Sequence, residues 1–583
     1  MRLLRSPLVS LPLAAIVAAC SSSGELAASA GSGGRGGGKA QGSTATSGPG
    51  GGGSGGAASG TSTSSSGGGG SGGGMAAGPC SALLGSGLAA SAWVTVGADG
   101  QLSYATLPRG DRIADFSYAG YMGGGVAIPS APVMKTVAPS GGADDTPAIQ
   151  AAIDAVSAMS AVNGIRGAVL LAPGTFAIQG TITITTSGVV LRGSGSGAGG
   201  TVLKLSGTPR AAVSIQGTGS WKEVGQGATI TDAYVPSGGQ SFHVDDASGL
   251  SVGAAVLVDR PVTQAWIHFM GMDTLVRNGK PETWIAAGSV IHADRVVTAI
   301  SGTTVTIDAP ITDAFDAAYT TPPGVKVVPY TFAGRIQQVG LESVRLVAPT
   351  ATVPINQPIF SILSMNAVID GWVKDVVAQE FTNGFVLGGT TKRITIEDAS
   401  VSRTAPIDGS AGYPFSYDVD GQQILVQRSS AQGDDVFSYA TMSRDPGPNV
   451  VYRFSASGHW TNLEPHERWA TGLLLDAIDS PGGSIDLVDR GYYGTGHGWT
   501  IGFGVVWNST AAQLTVQKPP GAENWAIGTT GMLVPMGEPG NPDTTPLPAG
   551  IVDSPGVPVT PQSLYLAQLC ARLGPQAVTD IGD

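Results

Sequence analysis

Charge is scarce in this chain. Asp, Glu, Lys and Arg together make up 12% of its 583 residues, with only 30 Lys and Arg spread thinly along it. No basic stripe exists that could neutralise a phosphate backbone, and the net charge is -12, so nucleic acid is excluded as a partner. Cysteine is scarcer still, present only as Cys20, Cys80 and Cys570, and the six His contain no HExxH. That argues against a structural zinc cluster and a protease-type zinc site. What the chain does have is 89 Gly and 42% hydrophobic residues, enough to bury a core over much of its length.

The first twenty residues, MRLLRSPLVSLPLAAIVAAC, combine a positive start (Arg2, Arg5), an apolar run and small residues, the pattern of an export signal rather than a spanning helix. Val17-Ala18-Ala19-Cys20 resembles the bacterial lipobox, which implies cleavage before Cys20, a lipid on its sulfur and a membrane partner facing the periplasm or cell surface. The alternative is an ordinary secretory signal with an incidental Cys. Residues 21–79 are almost wholly Gly, Ser, Ala and Thr and cannot offset chain entropy by burial. Such a leash spans about 40 Å on average. Cys80 and Cys570 remain as candidates for a disulfide in an oxidising compartment. In a solenoid they meet only if one end runs back along the coils.

Residues 143–159, ADDTPAIQAAIDAVSAM, offer Asp145 or Thr146 as a cap, Pro147 in the first turn, and Ile149, Ile153 and Val156 on one face, which predicts a one-sided helix. From 167 to 197, apolar runs alternate with Gly, Pro and Ser turns, as short strands do. The order GGADDTPAIQAAID, GAVLLAPGTFAI, GVVLRGSG resembles the opening of the pectate-lyase superfamily. That resemblance implies an all-β, right-handed parallel β-helix whose N-terminal end is capped by the helix. DFSYAGY (115–121), PHERWATG (465–472), GHGW (496–499) and NWAIG (524–528) are similar to segments of large exported bacterial members.

Later segments agree on their own terms. WVKDVVAQEF from 372, RITIEDASVSRT from 393, QILVQRSSAQGD from 423, NVVYRFSASGHW from 449, SIDLVDRGYYG from 484 and GVVWNSTAAQLTVQ from 504 recur at about 18 to 36 residues, too tight for propeller blades. Between about 215 and 318 the rhythm becomes that of hairpins, which predicts a small antiparallel β domain inserted into the solenoid. His243, His268 and His292 lie there at no metal-ligand spacing and read as surface or structural. The expected organisation is signal 1–20, linker 21–79, N-terminal segment and first coils 80–214, insert 215–318, remaining coils 319–560, and a C-terminal helix and tail 561–583.

Proton chemistry concentrates in residues 462–472, NLEPHERWATG, which hold Glu464, His466, Glu467, Arg468 and Trp469. His459 and His497 are near in sequence, as are Trp460, Trp499, Trp507 and Trp525. Sugar rings stack on aromatic faces and C–O cleavage needs positioned acids and bases, so the combination predicts a glycan cleft with Trp469, Trp499 and Trp525 as binding faces. The bland alternative is that Trp and His fill wide coils. Two further constellations compete: Asp434-Asp435 with Arg444, and Gly496-His497-Gly498. Gly433-Asp434-Asp435 followed by Gly496-His497-Gly498 resembles the polygalacturonase family. No Arg-x-Lys follows, however, and SYDVDG is only loosely similar to that family's Asn-containing motif, so its catalytic roles are not carried over.

Three functions are consistent with these residues. The leading expectation is a polysaccharide lyase acting on a uronate-containing glycan by β-elimination. His466 or His497 would be the base, and Arg468 or Arg444 would neutralise the substrate carboxylate. Ca²⁺ on Asp434 and Asp435 could replace the Arg. A glycoside hydrolase would use two carboxyls from Asp434, Asp435, Glu464 and Glu467. A non-catalytic glycan-binding surface protein would keep the aromatics alone.

Overall fold

The computed structural model describes Cys80, Leu83, Gly85 and residues 87–583, except 98–99, 353–356, 406–413 and 538–544. The signal, Cys20 and the Gly/Ser linker lie outside the described residues.

Parallel strand pairing threads one column of aliphatic side chains through successive coils. Val169, Leu191, Leu341, Val373, Ile396, Val426, Val451, Leu475, Val506 and Ala526 pair in that order, and all are buried in one core. Each coil satisfies its backbone N–H and C=O groups against the coils above and below, and each buried Val, Leu or Ile contributes about 1.5–3 kcal/mol. Two residues beyond this column the chain turns a corner. Ser343, Asp375, Asp398, Arg428, Arg453, Ala477, Asn508, Gly528 and Ser554 all have φ between 43° and 66°. Only one of the nine is glycine. A second parallel sheet, Ile182–Ile184, Ala211–Gln216, Ser361–Asn366, Asn383–Leu387 and Tyr417–Val419, closes the early coils. The molecule is a parallel β-helix.

Helix Thr146–Ser157 caps its first coils with Ile149, Ile153 and Val156 buried. Asp145 stands at the N-cap but its side chain does not bond the helix: its carboxylate accepts from Ser140 N at 2.9 Å and Ala177 N at 2.8 Å, fixing the helix to the coil beneath.

The insert is an antiparallel sheet in which Ala255–Pro261 lies between Val290–Ser301 and Lys326–Thr331. Ile215 pairs within a coil strand and the sheet runs to Thr331, so the insert starts later and ends later than the hairpin rhythm suggests. Its three His each face a carboxylate: His243 with Asp232 at 2.8 Å, His268 with Asp273 at 2.6 Å and His292 with Asp259 at 2.7 Å. The insert is fastened to the coils by buried Asp294, which meets Lys392 and Arg335, each at 2.8 Å. Burial alone would raise the Asp294 pKa. The two cations overcome that and hold it well below the usual carboxylate range.

An N-terminal strap runs backward along the coils. Ala89–Ala90 pair with Val559–Thr560, Ser91 Oγ donates to Asp553, Phe116 N to Gln568, Gly120 N to Gln423 O, Tyr121 N to Thr395 and Met122 N to Asp370. Val133–Val137 then pairs with Gly167–Leu171 in the first coil. This return path brings Cys80 to helix Leu564–Leu573, where it forms a disulfide with Cys570, Cα–Cα 5.9 Å. Among the described residues no helix is long and apolar enough to cross a membrane.

Candidate active site

Three stacked turns build the site. Glu464 N donates to Tyr439 O at 3.0 Å and His466 N to Thr441 O at 2.8 Å, while Arg468 N and Trp469 N donate to His497 O and Trp499 O at 3.2 and 3.0 Å. Residues 464–469 therefore lie between the turn that follows Val436–Tyr439 and the turn holding His497. Arg468 and Trp469 have φ of 56° and 69°, two consecutive non-glycine residues in the left-handed region. Such backbone costs about 1–2 kcal/mol per residue and marks a conformation imposed by its surroundings.

His497 Nε2 lies 3.0 Å from Glu467 Oε2, and Arg468 Nη1 lies 3.5 Å from Glu467 Oε1. Arg468 is itself held by the carbonyls of Thr495 and Gly496 at 3.2 and 3.4 Å. Arg490 Nη1 is 2.7 Å from His466 Nδ1, and Arg490 Nε is 3.0 Å from Glu464 Oε1. The His466 ring stands edge-on between Phe415 and Phe437, with centroids at 5.1 and 4.9 Å, and 4.7 Å from the His497 ring.

Burial, followed by the charge of Arg490, the neighbouring His497 ring and the charge of Arg468, holds His466 far below the ordinary imidazole range. His497 is pushed down to about 2 by burial, then by Arg490, Arg468 and Arg277. Both rings are neutral. Arginine keeps its protons, so it is the donor to His466 Nδ1, and the His466 proton sits on Nε2. The lone pair that a general base needs is occupied. His497 in turn donates from Nε2 to Glu467.

Sequence reading missed the acids of the coil below. Asp418 and Asp420 lie close enough to Glu467 for its charge to raise both. Asp420 is half-buried, accepts from Met442 N at 2.7 Å, and is pushed up to about 7 by burial and by Glu467 against the pull of that N–H. Asp445 is raised well above the usual range, first by burial and then by Asp420 and Asp418. The signal for Asp418 and Asp420 was the SYDVDG string. Arg490, seven residues before His497, had none.

Several predicted contacts take other roles. Trp499 and Trp525 are core residues, 4% and 0% exposed, and the Trp499 indole donates to Met270 O at 3.2 Å. Trp469 packs against Trp266 and Trp284 with its indole N–H on Asp313 Oδ2 at 3.1 Å. None of the three offers an open face to a sugar, because Trp469 and Trp499 fold inward against the insert and Trp525 against Trp93 of the N-terminal strap. Asp434 and Asp435 sit on an exposed turn where Asp434 accepts from His459 N at 2.7 Å and Asp435 lies 3.7 Å from His459. Among the described residues no hydrogen bond or ion pair joins them to Glu467 or His497. Arg444 is exposed one turn below Arg468, its N–H on Arg468 O at 2.9 Å.

Neither cation reading fits well. Two carboxyls on a turn, one already bonded to a backbone N–H, supply a small part of the six to eight oxygens that Ca²⁺ takes. His466, Glu467 and His497 bring one donor atom each to within 4.8 Å of one another, a spacing open to a metal. Arg490 already occupies His466 Nδ1, Arg468 lies 3.5 Å from Glu467 Oε1, and both charges repel a cation.

No family model matches the chain, and no curated protein does. Among solved structures it is similar to the tailspike protein gp49 of Pseudomonas phage LKA1 at 12% identity, over 70% of this chain and 71% of that one, TM-score 0.34. It is similar to the gp54 tailspike of Acinetobacter baumannii bacteriophage AP22, solved with capsular saccharide, at 11% identity over 71% of each chain, TM-score 0.32. The A-module of the Azotobacter vinelandii mannuronan C-5 epimerase AlgE6 matches at 12% identity over 76% of this chain and 94% of that one, TM-score 0.34. Strand register and side-chain geometry define this chain as a parallel β-helix protein with an acid–base cluster on its stacked turns.

Proposed function

We propose that the protein is a carbohydrate-active enzyme that hydrolyses a glycosidic bond, with Glu467 and Asp420 as the working pair. The observation that carries this is the Glu467 carboxylate, oriented by the His497 N–H at 3.0 Å and placed beside an Asp420 that stays protonated to about pH 7. A carboxyl that keeps its proton near neutrality beside a second carboxyl supplies the acid and the base that glycoside hydrolysis divides between them. Asp420 gives its proton to the departing glycosidic oxygen, while Glu467 takes a proton from the water that attacks the sugar carbon, so one water is added across the bond. His497 and Arg468 hold Glu467 in place. The superfamily resemblance of the sequence supports a glycan as substrate, and the Arg-lined turn supports one that carries uronate.

Elimination, the leading expectation from sequence, requires an imidazole with a free lone pair facing substrate. Arg490 fills that position on His466, and the unpartnered Nδ1 of His497 is buried, away from any substrate, in a residue 3% exposed. The test is kinetic. Glu467→Gln and Asp420→Asn should each lower kcat/KM by about 10²-fold or more with little change in melting temperature. Full activity in both variants would sink the assignment.

A further inference from the structure

The turn Gly494-Thr495-Gly496-His497-Gly498 has little stiffness of its own, because three of its residues are glycine, with φ of 60°, 82° and 54°. Two guanidiniums hold its carbonyls. Arg468, from the neighbouring coil, donates to Thr495 O and Gly496 O. Gly494 O instead accepts from Nη1 of half-buried Arg277, which comes from the insert, 217 residues away in the chain. Arg277 stands on a short hairpin, Val276–Arg277 against Lys280–Pro281, turned by Asn278 and Gly279 with φ of 52° and 75°.

The insert touches the same turn at two further points. Gly496 lies against Glu282 and Thr283, and the Trp284 indole, which donates to Trp499 O at 3.2 Å, covers Gly498 so closely that a Cβ there would meet Trp284 Nε1 at 2.8 Å. A Cβ on Gly494 would collide with the His497 ring itself. Where that ring sits therefore depends on where Gly494 sits, and Arg277 holds Gly494. Burial, then Arg490, Arg468 and Arg277, keeps the imidazole neutral, so Arg277 is within electrostatic reach of it.

We propose that Arg277 is a positioning residue of the active site: by holding the Gly494 carbonyl it seats the His497 ring so that Nε2–H meets Glu467. The insert is thereby a part of the site and not an ornament on the coils. The importance of Glu467 rests on the hydrolytic reading, but the seating of His497 is measured without turnover.

The full chain is labelled with 15N-histidine, and exchange of the His497 Nε2 proton with water is followed by NMR, with His497→Ala to assign the signal. Arg277→Met keeps the apolar stem and removes the donor, and should speed that exchange about 10-fold or more, while the His292 signal reports that the insert stays folded. Gly494→Ala, which leaves the insert untouched, should do the same. On polygalacturonate or alginate, whichever is cleaved, Arg277→Met should lower kcat about 10-fold with KM nearly unchanged. Added to His497→Ala it should cause no further loss, because Arg277 acts through that ring. Unchanged exchange in Arg277→Met or in Gly494→Ala, or a kcat loss that adds to that of His497→Ala, would overturn the proposal. Faster exchange in a protein whose Glu467→Gln variant keeps full activity would refute hydrolysis and leave the seating of His497 standing.

Discussion

Glu467 and Asp420 differ in their surroundings more than in their chemistry, and the difference fixes how rate should depend on pH. A general acid must be protonated, and Asp420 keeps its proton up to about pH 7. The rate should therefore hold through the mildly acidic range and fall as pH rises above about 7. Neutral His466 and His497 add no limb near 6.5, because both titrate far lower. A histidine base would give the opposite slope, with rate rising through that range. A pH–kcat/KM profile of the protein and of Asp420→Asn separates the two, and the variant should lose the alkaline limb. At this scale the sequence was a partial guide. The density of 464–469 in acid–base residues is visible in the string, and the structure does bring Glu464, His466, Glu467, Arg468 and His497 together. Which of them works was not visible, because it depends on Arg490 capping one imidazole nitrogen and on two Asp from another coil. Trp469, Trp499 and Trp525 misled for the same reason: composition does not tell which way a ring faces.

Coils are held by the aliphatic column and by their left-handed corners. Leu475 sits in the column between Val451 and Val506, 1% exposed, with the corner residue Ala477 two positions on. Leu475→Ala leaves a cavity that neighbouring coils cannot collapse to fill, and should cost about 2–5 kcal/mol in chemical denaturation. A loss below about 1 kcal/mol would mean that the column is not the stabilising element. Spacing revealed the coils because each corner recurs at one place per turn. The same spacing could not place the end of the insert, since Lys326–Thr331 is a β-rich run that reads equally as a coil strand until its antiparallel partner Ala255–Pro261 is known.

Across the whole molecule, buried acids set the direction in which stability changes with pH. Asp420, Asp476 and Asp486 are each pushed up to about 7, chiefly by burial, from an ordinary value near 3.8. Between about pH 4 and 7 the folded chain holds protons at these three sites that the unfolded chain has released, a stabilisation that grows as pH falls and outweighs the opposing loss below about pH 6.5 from His466 and His497, which the fold keeps neutral. Melting temperature should be several degrees higher at pH 5 than at pH 7.5, and the gain should shrink in Asp476→Asn. A melting temperature that falls over the same interval would contradict the burial of these groups. The return of the N-terminal strap to the last coils, which makes the Cys80–Cys570 bridge possible, is a fact of topology that no local pattern could convey.

The mass of the products tests the central claim most directly. Uronate-containing and neutral polysaccharides are incubated with the protein and with Glu467→Gln, and the released oligosaccharides are weighed by mass spectrometry. Hydrolysis by the Glu467–Asp420 pair predicts saturated products that together carry one added water, absent with the variant. Unsaturated products that carry no added water, or saturated products formed equally well by Glu467→Gln, would contradict it.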